Sequence, residues 1–145
     1  QESRGLGDVY KRQLPTMQEL FFGGIQMELK LCESDFRFMC VIWDHEPLTS
    51  HQLVDLCNEK LGWKKSTTYT TLKKLCDKGF AQNQNTIVIS LVPQSNVQTY
   101  ASNRFVENTF AGSLPKFLVS FFGDKKITDE EAEELKQLID AYTEE

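Results

Sequence analysis

Breaks at Pro47, Gly62 and Gly79 divide residues 34–92 into short segments, and no other feature of the sequence constrains the fold as strongly. The residue before a proline is pushed out of the helical region, and a glycine permits the tight turn that ends many helices. Between the breaks, apolar residues recur three and four positions apart, which is the helical spacing. The sequence therefore predicts three short helices, each with one apolar face.

The first two predicted helices each have a starting signal. The first begins near Ser34, a capping residue that stands between two acids. Residues 48–50 form a short extended link, after which either Thr49 or Ser50 can cap the second helix. The predicted inner face of the first helix consists of Phe36, Met39, Cys40 and Trp43. That of the second consists of Leu53, Leu56, Cys57 and either Lys60 or Leu61.

The third predicted helix begins at Lys65 or Ser66 and ends at Gly79. After it, residues 80–82 and 86–92 have the composition of two strands, with Asn-Gln-Asn as the turn between them. Alternation along the second strand predicts that it is half-buried. Three helices followed by a short hairpin is the order of a winged helix-turn-helix domain. The inward face of the third helix is predicted to consist of Thr68, Thr71, Leu72 and Leu75.

The remainder of the chain, residues 94–145, is predicted to be helical. Helices start near Ser95, at the Ser113 cap and at Thr128, which with Glu131 has the spacing of a capping box. Their aromatic residues exceed what a few short helices can hide, which favours a homodimer over a second small core within one chain. The residues predicted to form the dimer contact are Phe105, Phe110, Leu114, Phe117, Leu118, Phe121, Leu135 and Leu138.

Lysines and hydroxyl-bearing residues are concentrated on the third predicted helix, although the whole chain has a formal net charge of −5. Residues 60–79 contain six lysines and one aspartate, whereas residues 124–145 contain nine acids and three lysines. A threonine offers a hydroxyl and a methyl group to the major groove of DNA, and lysines neutralise phosphates. A solvated helix face would have a similar composition, but the third position in a helix-helix-helix-hairpin order favours DNA recognition.

Bulk composition limits the other possibilities. The 145 residues, 40% hydrophobic and 26% charged, suit one ordinary globular domain or two very small ones. No apolar run approaches the ~18 residues of a membrane span, and no secretory signal is recognisable, so a cytoplasmic location is expected. The four cysteines include no close pair, and no arrangement typical of catalysis is found. We therefore predict no enzyme, no cofactor and no metal.

Residues 1–26 lack a helix or strand period. They are predicted to be either a non-native extension, with Met27 as the natural start, or a disordered native tail.

The segments LCESDFRFMCVIWDHEPLTSHQLVDLC and LGWKKSTTYTTLKKLCDKGF resemble the DNA-binding domain of the penicillinase-repressor (BlaI/MecI/CopY) family. Shared features are the first helix ending in Ile42-Trp43, the Gly-Trp pair before the third helix, and the T-x-x-T-x-L-x-x-L-x-x-K-G frame from Thr67 to Gly79. The likeness covers residues 27–142, and its C-terminal part resembles the dimerisation region of the family.

The resemblance implies a homodimeric winged-helix repressor of a short dyad-symmetric operator, with a DNA-binding domain at residues 27–93 and a dimerisation region at residues 94–145. It assigns base contacts to Ser66, Thr67, Tyr69 and Thr70 and phosphate contacts to Lys64, Lys65, Lys73 and Lys74.

The resemblance leaves the release of repression open. Some members carry an Asn-Phe cleavage bond in the dimerisation region and others a C-terminal cysteine cluster that responds to copper. This chain has neither, so neither the protease switch nor the copper switch is supported, and the route of release stays open between proteolysis, a ligand and another signal. An unidentified sensor or protease is the further partner considered. The alternative function is a winged-helix module that binds protein and not DNA, against which the lysine-rich outward face argues.

Overall fold

The computed structural model describes residues 28–144, so the extension expected over residues 1–26 lies outside the described residues. The described elements, in chain order, are α1 (Glu33–His45), β1 (Leu48–Thr49), α2 (Ser50–Leu61), α3 (Lys65–Asp77), β2 (Ala81–Gln84), β3 (Ile87–Ser90), α4 (Gln94–Phe110), α5 (Leu114–Phe122) and α6 (Asp129–Tyr142). The chain is mainly helical with one small sheet, as the sequence predicts.

Helix α1 differs from its prediction at both its start and its buried face. Cys32 is the N-cap and no side chain caps the helix, so the predicted cap at Ser34 is wrong. The predicted apolar stripe also differs from the buried face: of its four residues only Met39 is buried, whereas Phe36, Cys40 and Trp43 are half-buried. Helix α1 contacts both α2 and β3, and this two-sided packing buries a wider face. The residues of α1 that are buried are Asp35, Phe38, Met39, Val41 and Ile42.

Helix α2 follows its prediction closely. Thr49 accepts a hydrogen bond from the Gln52 backbone N–H, and Gln52 accepts one from the Thr49 N–H, which completes a capping box. The helix ends at Gly62, whose φ of 70° lies in the left-handed region that glycine adopts without strain. Leu53 and Cys57 are buried at its inner face.

The sheet has three strands in the order β1-β3-β2, all antiparallel. Leu48 pairs with Val88, so the segment predicted as a plain link is a strand. Strand β3 lies between β1 and β2 and also contacts α1. Val88, Ile89 and Ser90 are all buried, so the predicted half-buried alternation is wrong. The β2–β3 turn consists of Asn85 and Thr86, both at positive φ, so it is shorter than the predicted Asn-Gln-Asn.

The chain divides into two compact units, one ending at Asn103 and the other beginning at Arg104, both within α4. The core of the first unit is formed by helices α1, α2 and α3, the sheet and the start of α4. Phe38, Leu53, Leu75, Phe80 and Val97 lie at its centre with almost no exposed surface. The functional boundary expected between residues 93 and 94 stays a prediction.

The second unit has few buried residues. Helices α5 and α6 bury none of their residues completely. Ser113 caps α5 and Pro115 lies in its first turn, as predicted. Thr128 caps α6 by accepting from the Glu131 backbone N–H, so that half of the predicted capping box is present. Among residues 28–144, no helix combines the length and the apolar character that a membrane span requires.

Candidate nucleic-acid interface

The inner face of α3 anchors the helix in the core of the first unit. Thr68, Thr71, Leu72 and Leu75 are the buried residues of α3, which confirms the predicted inward face. All four lie on one side of the helix, because Thr71 and Leu72 follow Thr68 by three and four positions and Leu75 follows them by four and three. The opposite side is therefore presented to solvent in a fixed orientation.

The four residues assigned to base contacts lie on that outward side. Ser66, Thr67, Tyr69 and Thr70 are all exposed, and Tyr69 is 37% exposed. One helix face thus brings together three hydroxyls from short side chains and one phenol. Two of the four are threonines, which lower helix propensity. Their role in base contact stays a prediction.

The turn before α3 is held by several contacts that fix where the helix starts. The Gly62 N–H donates to the Asn58 carbonyl at 3.1 Å, and the Asn58 side-chain amide donates to the Trp63 carbonyl at 3.1 Å. The Trp63 ring stacks on Phe38 of α1, with centroids 5.6 Å apart and planes 10° apart. The start of α3 is therefore tied both to the end of α2 and to the core.

The N-terminus of α3 has the features of an anion site. Lys64 is the N-cap and no side chain caps the helix, so no side chain accepts from the first-turn N–H groups, which lie at the positive end of the helix dipole. Lys65 lies in the same turn, with its Nζ 6.0 Å from the centroid of the Tyr69 ring. Both lysines are exposed. A phosphate at this end would meet two positive charges and backbone donors.

The two lysines at the other end of α3 differ from each other. Lys73 lies 3.3 Å from Asp77 in an exposed pair one turn apart, an arrangement that contributes little and leaves the ammonium hydrated. Lys74 instead contacts both carboxylate oxygens of Asp35 in α1, each at 2.9 Å. Asp35 is buried, and the sequence pattern does not predict this contact, because an acid in a first helical turn is ordinarily explained by the helix dipole.

The hairpin beside α3 ends in an uncharged tip. Asn83, Gln84, Asn85 and Thr86 are exposed, and the Gln82 amide donates to the Gln84 side-chain oxygen at 2.8 Å. A tip without cations offers no charge to a phosphate backbone.

Polar contacts behind α3 that the sequence does not predict hold the sheet against α1. The Glu46 carboxylate accepts from both the backbone N–H and the hydroxyl of Ser90 at 2.8–2.9 Å. Trp43 donates its indole N–H to the Val92 carbonyl at 2.9 Å. Both pairs join residues more than 40 positions apart, which periodicity cannot reveal.

The inner side of α3 also meets a buried cysteine. Burial raises the pKa of the Cys57 thiol, and a contact with the Thr68 side chain opposes this only in part, so the thiol is neutral at pH 7. The Thr68 hydroxyl has no other partner among the described residues. Within residues 28–144, no three His, Cys, Asp or Glu side chains are grouped so that they could hold a metal ion.

The second unit carries an aromatic cluster that is only partly covered. Phe105, Phe110 and Phe117 contact one another edge to face, with centroids 5.5–6.0 Å apart, and Phe117 continues to Phe121 at 5.7 Å. Phe105 is nevertheless 52% exposed and Phe121 65% exposed. Of the other residues predicted at the dimer contact, Leu114 and Leu138 are exposed and Leu118 and Leu135 half-buried.

The first unit contains three helices followed by a hairpin that completes a three-stranded sheet, and the third of these helices has an exposed polar face. This arrangement defines a winged helix-turn-helix domain, which is followed here by a helical region. A family model described as penicillinase repressor matches residues 31–141, and the chain belongs to that family.

Relatives with curated names agree with this membership. The methicillin resistance regulatory protein MecI of Staphylococcus aureus is 21% identical over 114 residues, covering 76% of this chain and 93% of the relative. The MecI protein of Mammaliicoccus sciuri is 20% identical over the same length. The penicillinase repressor of Bacillus licheniformis is 20% identical over 117 residues, covering 78% of this chain and 91% of the relative.

Proposed function

We propose that this protein is a dimeric transcriptional repressor that binds a short dyad-symmetric DNA operator through α3. The observation that carries the proposal is the two-sided character of α3. Its inner side is anchored by four buried residues, while hydroxyl-bearing and cationic residues occupy the side that faces solvent. Membership of the penicillinase repressor family supports the same function. No enzymatic activity is proposed.

In this proposal the side chains of Ser66, Thr67, Tyr69 and Thr70 contact base edges in the major groove. A helix fits that groove, and short hydroxyl side chains can approach the bases closely. Helical geometry places residues 66, 67 and 70 on adjacent turns of one face, which spans a few base pairs. Base contacts of this kind provide the sequence preference.

Phosphate contacts provide most of the affinity. Lys64 and Lys65, together with the uncapped N-terminus of α3, would bind one phosphate region, and Lys73 another. Lys73 must exchange its exposed partner Asp77 for a phosphate, which costs little because an exposed pair is weak.

The second unit supplies the dimer. A single α3 contacts too few base pairs to be selective, whereas two copies related by a two-fold axis contact half-sites about 10 base pairs apart. The exposed phenylalanines of the second unit provide apolar surface that a second copy could bury. A repressor acts on the chromosome, so we place the protein in the cytoplasm, and a sensor or protease stays a predicted partner.

Selection from a randomised pool of duplexes, followed by a mobility-shift titration, tests this function and requires no operator sequence to be chosen beforehand. We expect the chain to enrich a dyad-symmetric sequence and to bind it at least ~10³-fold more tightly than random duplex at physiological salt. Enrichment of no sequence, combined with equal binding of all duplexes, would contradict base recognition. Failure to bind any duplex at about 50 mM salt would favour the protein-binding module instead.

A further inference from the structure

The buried carboxylate of Asp35 joins the first turn of α1 to the last turn of α3. Both of its oxygens lie 2.9 Å from Lys74 Nζ, and the two residues are 39 positions apart in the chain. The Asp35 side chain is 7% exposed and the Lys74 side chain 45% exposed. The carboxylate is therefore removed from water, and the lysine reaches inward from the edge of the outward face.

The neighbouring lysine shows how unusual this arrangement is on α3. Lys73 carries the same charge as Lys74 and lies in the same helix. Its partner Asp77, however, is exposed, lies within α3 and is 3.3 Å away. An exposed pair within one helix can exchange its partner freely and fixes nothing outside that helix. A buried carboxylate with its cation removed would be left uncompensated, so the Asp35–Lys74 pair resists exchange.

We propose that Asp35 and Lys74 are positioning residues that set the orientation of α3 for base recognition, and that Lys74 is not a phosphate ligand. The inference rests on the proposed function. It replaces the phosphate role that the family resemblance assigns to Lys74. In physical terms, a directional contact between two elements restricts how α3 can rotate or shift relative to α1, and base contacts depend on such placement more than phosphate contacts do.

Neutralising Asp35 separates a positioning role from simple electrostatics, because the two predict opposite changes in DNA affinity. Removing an acid close to a DNA-binding surface should strengthen binding to every duplex, because less negative charge faces the phosphates. If Asp35 positions α3, then Asp35→Asn should instead weaken binding to the selected duplex. Glu33→Gln is the matched control, since Glu33 is an exposed acid in the same turn of α1.

The experiment compares wild type, Asp35→Asn and Glu33→Gln on two probes: the duplex that wild type selects from a randomised pool, and a random duplex of equal length. We expect Asp35→Asn to lose about tenfold in affinity for the selected duplex, the loss that one good base contact represents, with little change on random duplex and an unchanged salt slope. Glu33→Gln should bind both probes as tightly as wild type or slightly more tightly. Equal or tighter binding of the selected duplex by Asp35→Asn would overturn the positioning role.

A second variant covers the case in which Asp35→Asn does not fold. Lys74→Gln should lose selectivity with the salt slope of wild type, and Lys74→Arg, which can still pair with both carboxylate oxygens, should retain it. A salt slope reduced by about one unit, with equal loss on both probes, would show a phosphate contact and overturn the proposal. Failure of wild type itself to prefer any duplex would overturn the proposed function and this inference together. Wild-type selectivity in Asp35→Asn and Lys74→Gln, with wild type itself selective, would overturn only the inference.

Discussion

Trp63 stacks on Phe38, with ring planes 10° apart and centroids 5.6 Å apart, and this contact joins the turn before α3 to the centre of the core. Phe38 has no exposed surface, whereas Trp63 is half-buried at the end of the Gly62 turn. Placement of α3 therefore depends on a ring that packs against α1. The Gly-Trp pair of the family resemblance thereby acquires a structural reason.

The stacking contact can be tested by truncation. Trp63→Ala should destabilise the protein by about 3 kcal/mol, the lower end for loss of a large aromatic ring, because Trp63 is only half-buried. Trp63→Phe keeps a ring over Phe38 and should cost less than about 1.5 kcal/mol. Urea denaturation measures both, and equal losses for the two variants would show that stacking on Phe38 is not what Trp63 contributes.

Thr67 and Thr70 should matter for DNA and not for folding. Thr67→Ala and Thr70→Ala should each weaken binding to the selected duplex by about 1–3 kcal/mol while leaving random duplex unaffected. Stability should stay equal or rise slightly, since alanine is the better helix former at an exposed position. Thr99→Ala, at an exposed threonine of α4, is the control: it should have the same small effect on stability and leave binding to both duplexes unchanged. Titrations on the selected and the random duplex measure these effects, and equal behaviour of all three variants would contradict base contact by Thr67 and Thr70.

Lys73 should contribute affinity without sequence preference. Lys73→Ala should weaken binding to every duplex and reduce the slope of log affinity against log salt by about one unit. Lys126→Ala removes the same charge between α5 and α6 and should leave the slope unchanged. Titrations between about 50 and 200 mM salt make the comparison. A selective loss on the operator alone would assign Lys73 a different role.

The aromatic cluster of the second unit should hold the dimer together. Phe121 is 65% exposed, and Phe121→Glu should place a charge in the apolar contact and yield monomers in sedimentation velocity. Val119→Glu is the control, because two positions along a helix place Val119 on the opposite side of α5 from Phe121. Monomers should lose operator affinity with the DNA-binding domain still folded. A dimer that survives Phe121→Glu but not Val119→Glu would place the interface on the other side of α5.

Cys57 gives a pH dependence whose sign follows from its environment. Burial raises the pKa of the Cys57 thiol, so the folded protein keeps the thiol neutral at a pH where the unfolded chain ionises it. The stabilisation from the neutral thiol is complete below about pH 8.5, the unfolded value, and is lost as the pH rises through the folded value. The destabilisation caused by Cys57→Ala should therefore be smaller at about pH 10 than at about pH 7 in urea denaturation. An equal cost at both pH values would contradict a raised thiol pKa.

Local signals predict four helix ends but not the cap of α1, and long-range contacts account for much of what the sequence does not reveal. Thr49, Ser113 and Thr128 cap their helices and Gly62 ends α2 as expected, because each needs only neighbours within four positions. The strand at Leu48 escapes prediction because two residues carry no alternation, and only its pairing with Val88 defines it. The predicted buried face of α1 is too narrow for a similar reason, since this helix is covered from two sides.

The candidate site divides in the same way. Exposure of Ser66, Thr67 and Thr70 follows from the 3.6-residue period once Leu72 and Leu75 are assigned to the core. The different partners of Lys73 and Lys74 do not follow, because the two lysines are adjacent and chemically identical. What separates them is Asp35, which tertiary packing alone brings within 2.9 Å.

Contact between the outward face of α3 and DNA is the central claim, and hydroxyl-radical footprinting of the tyrosine side chains tests it most directly. Tyr69 lies on that face and is 37% exposed, whereas Tyr142 at the end of α6 is 83% exposed and serves as the internal reference. Saturation with the selected duplex should slow oxidation of Tyr69 severalfold and leave the rate at Tyr142 unchanged. An unchanged rate at Tyr69 in the saturated complex would contradict the claim that α3 is the surface that binds DNA.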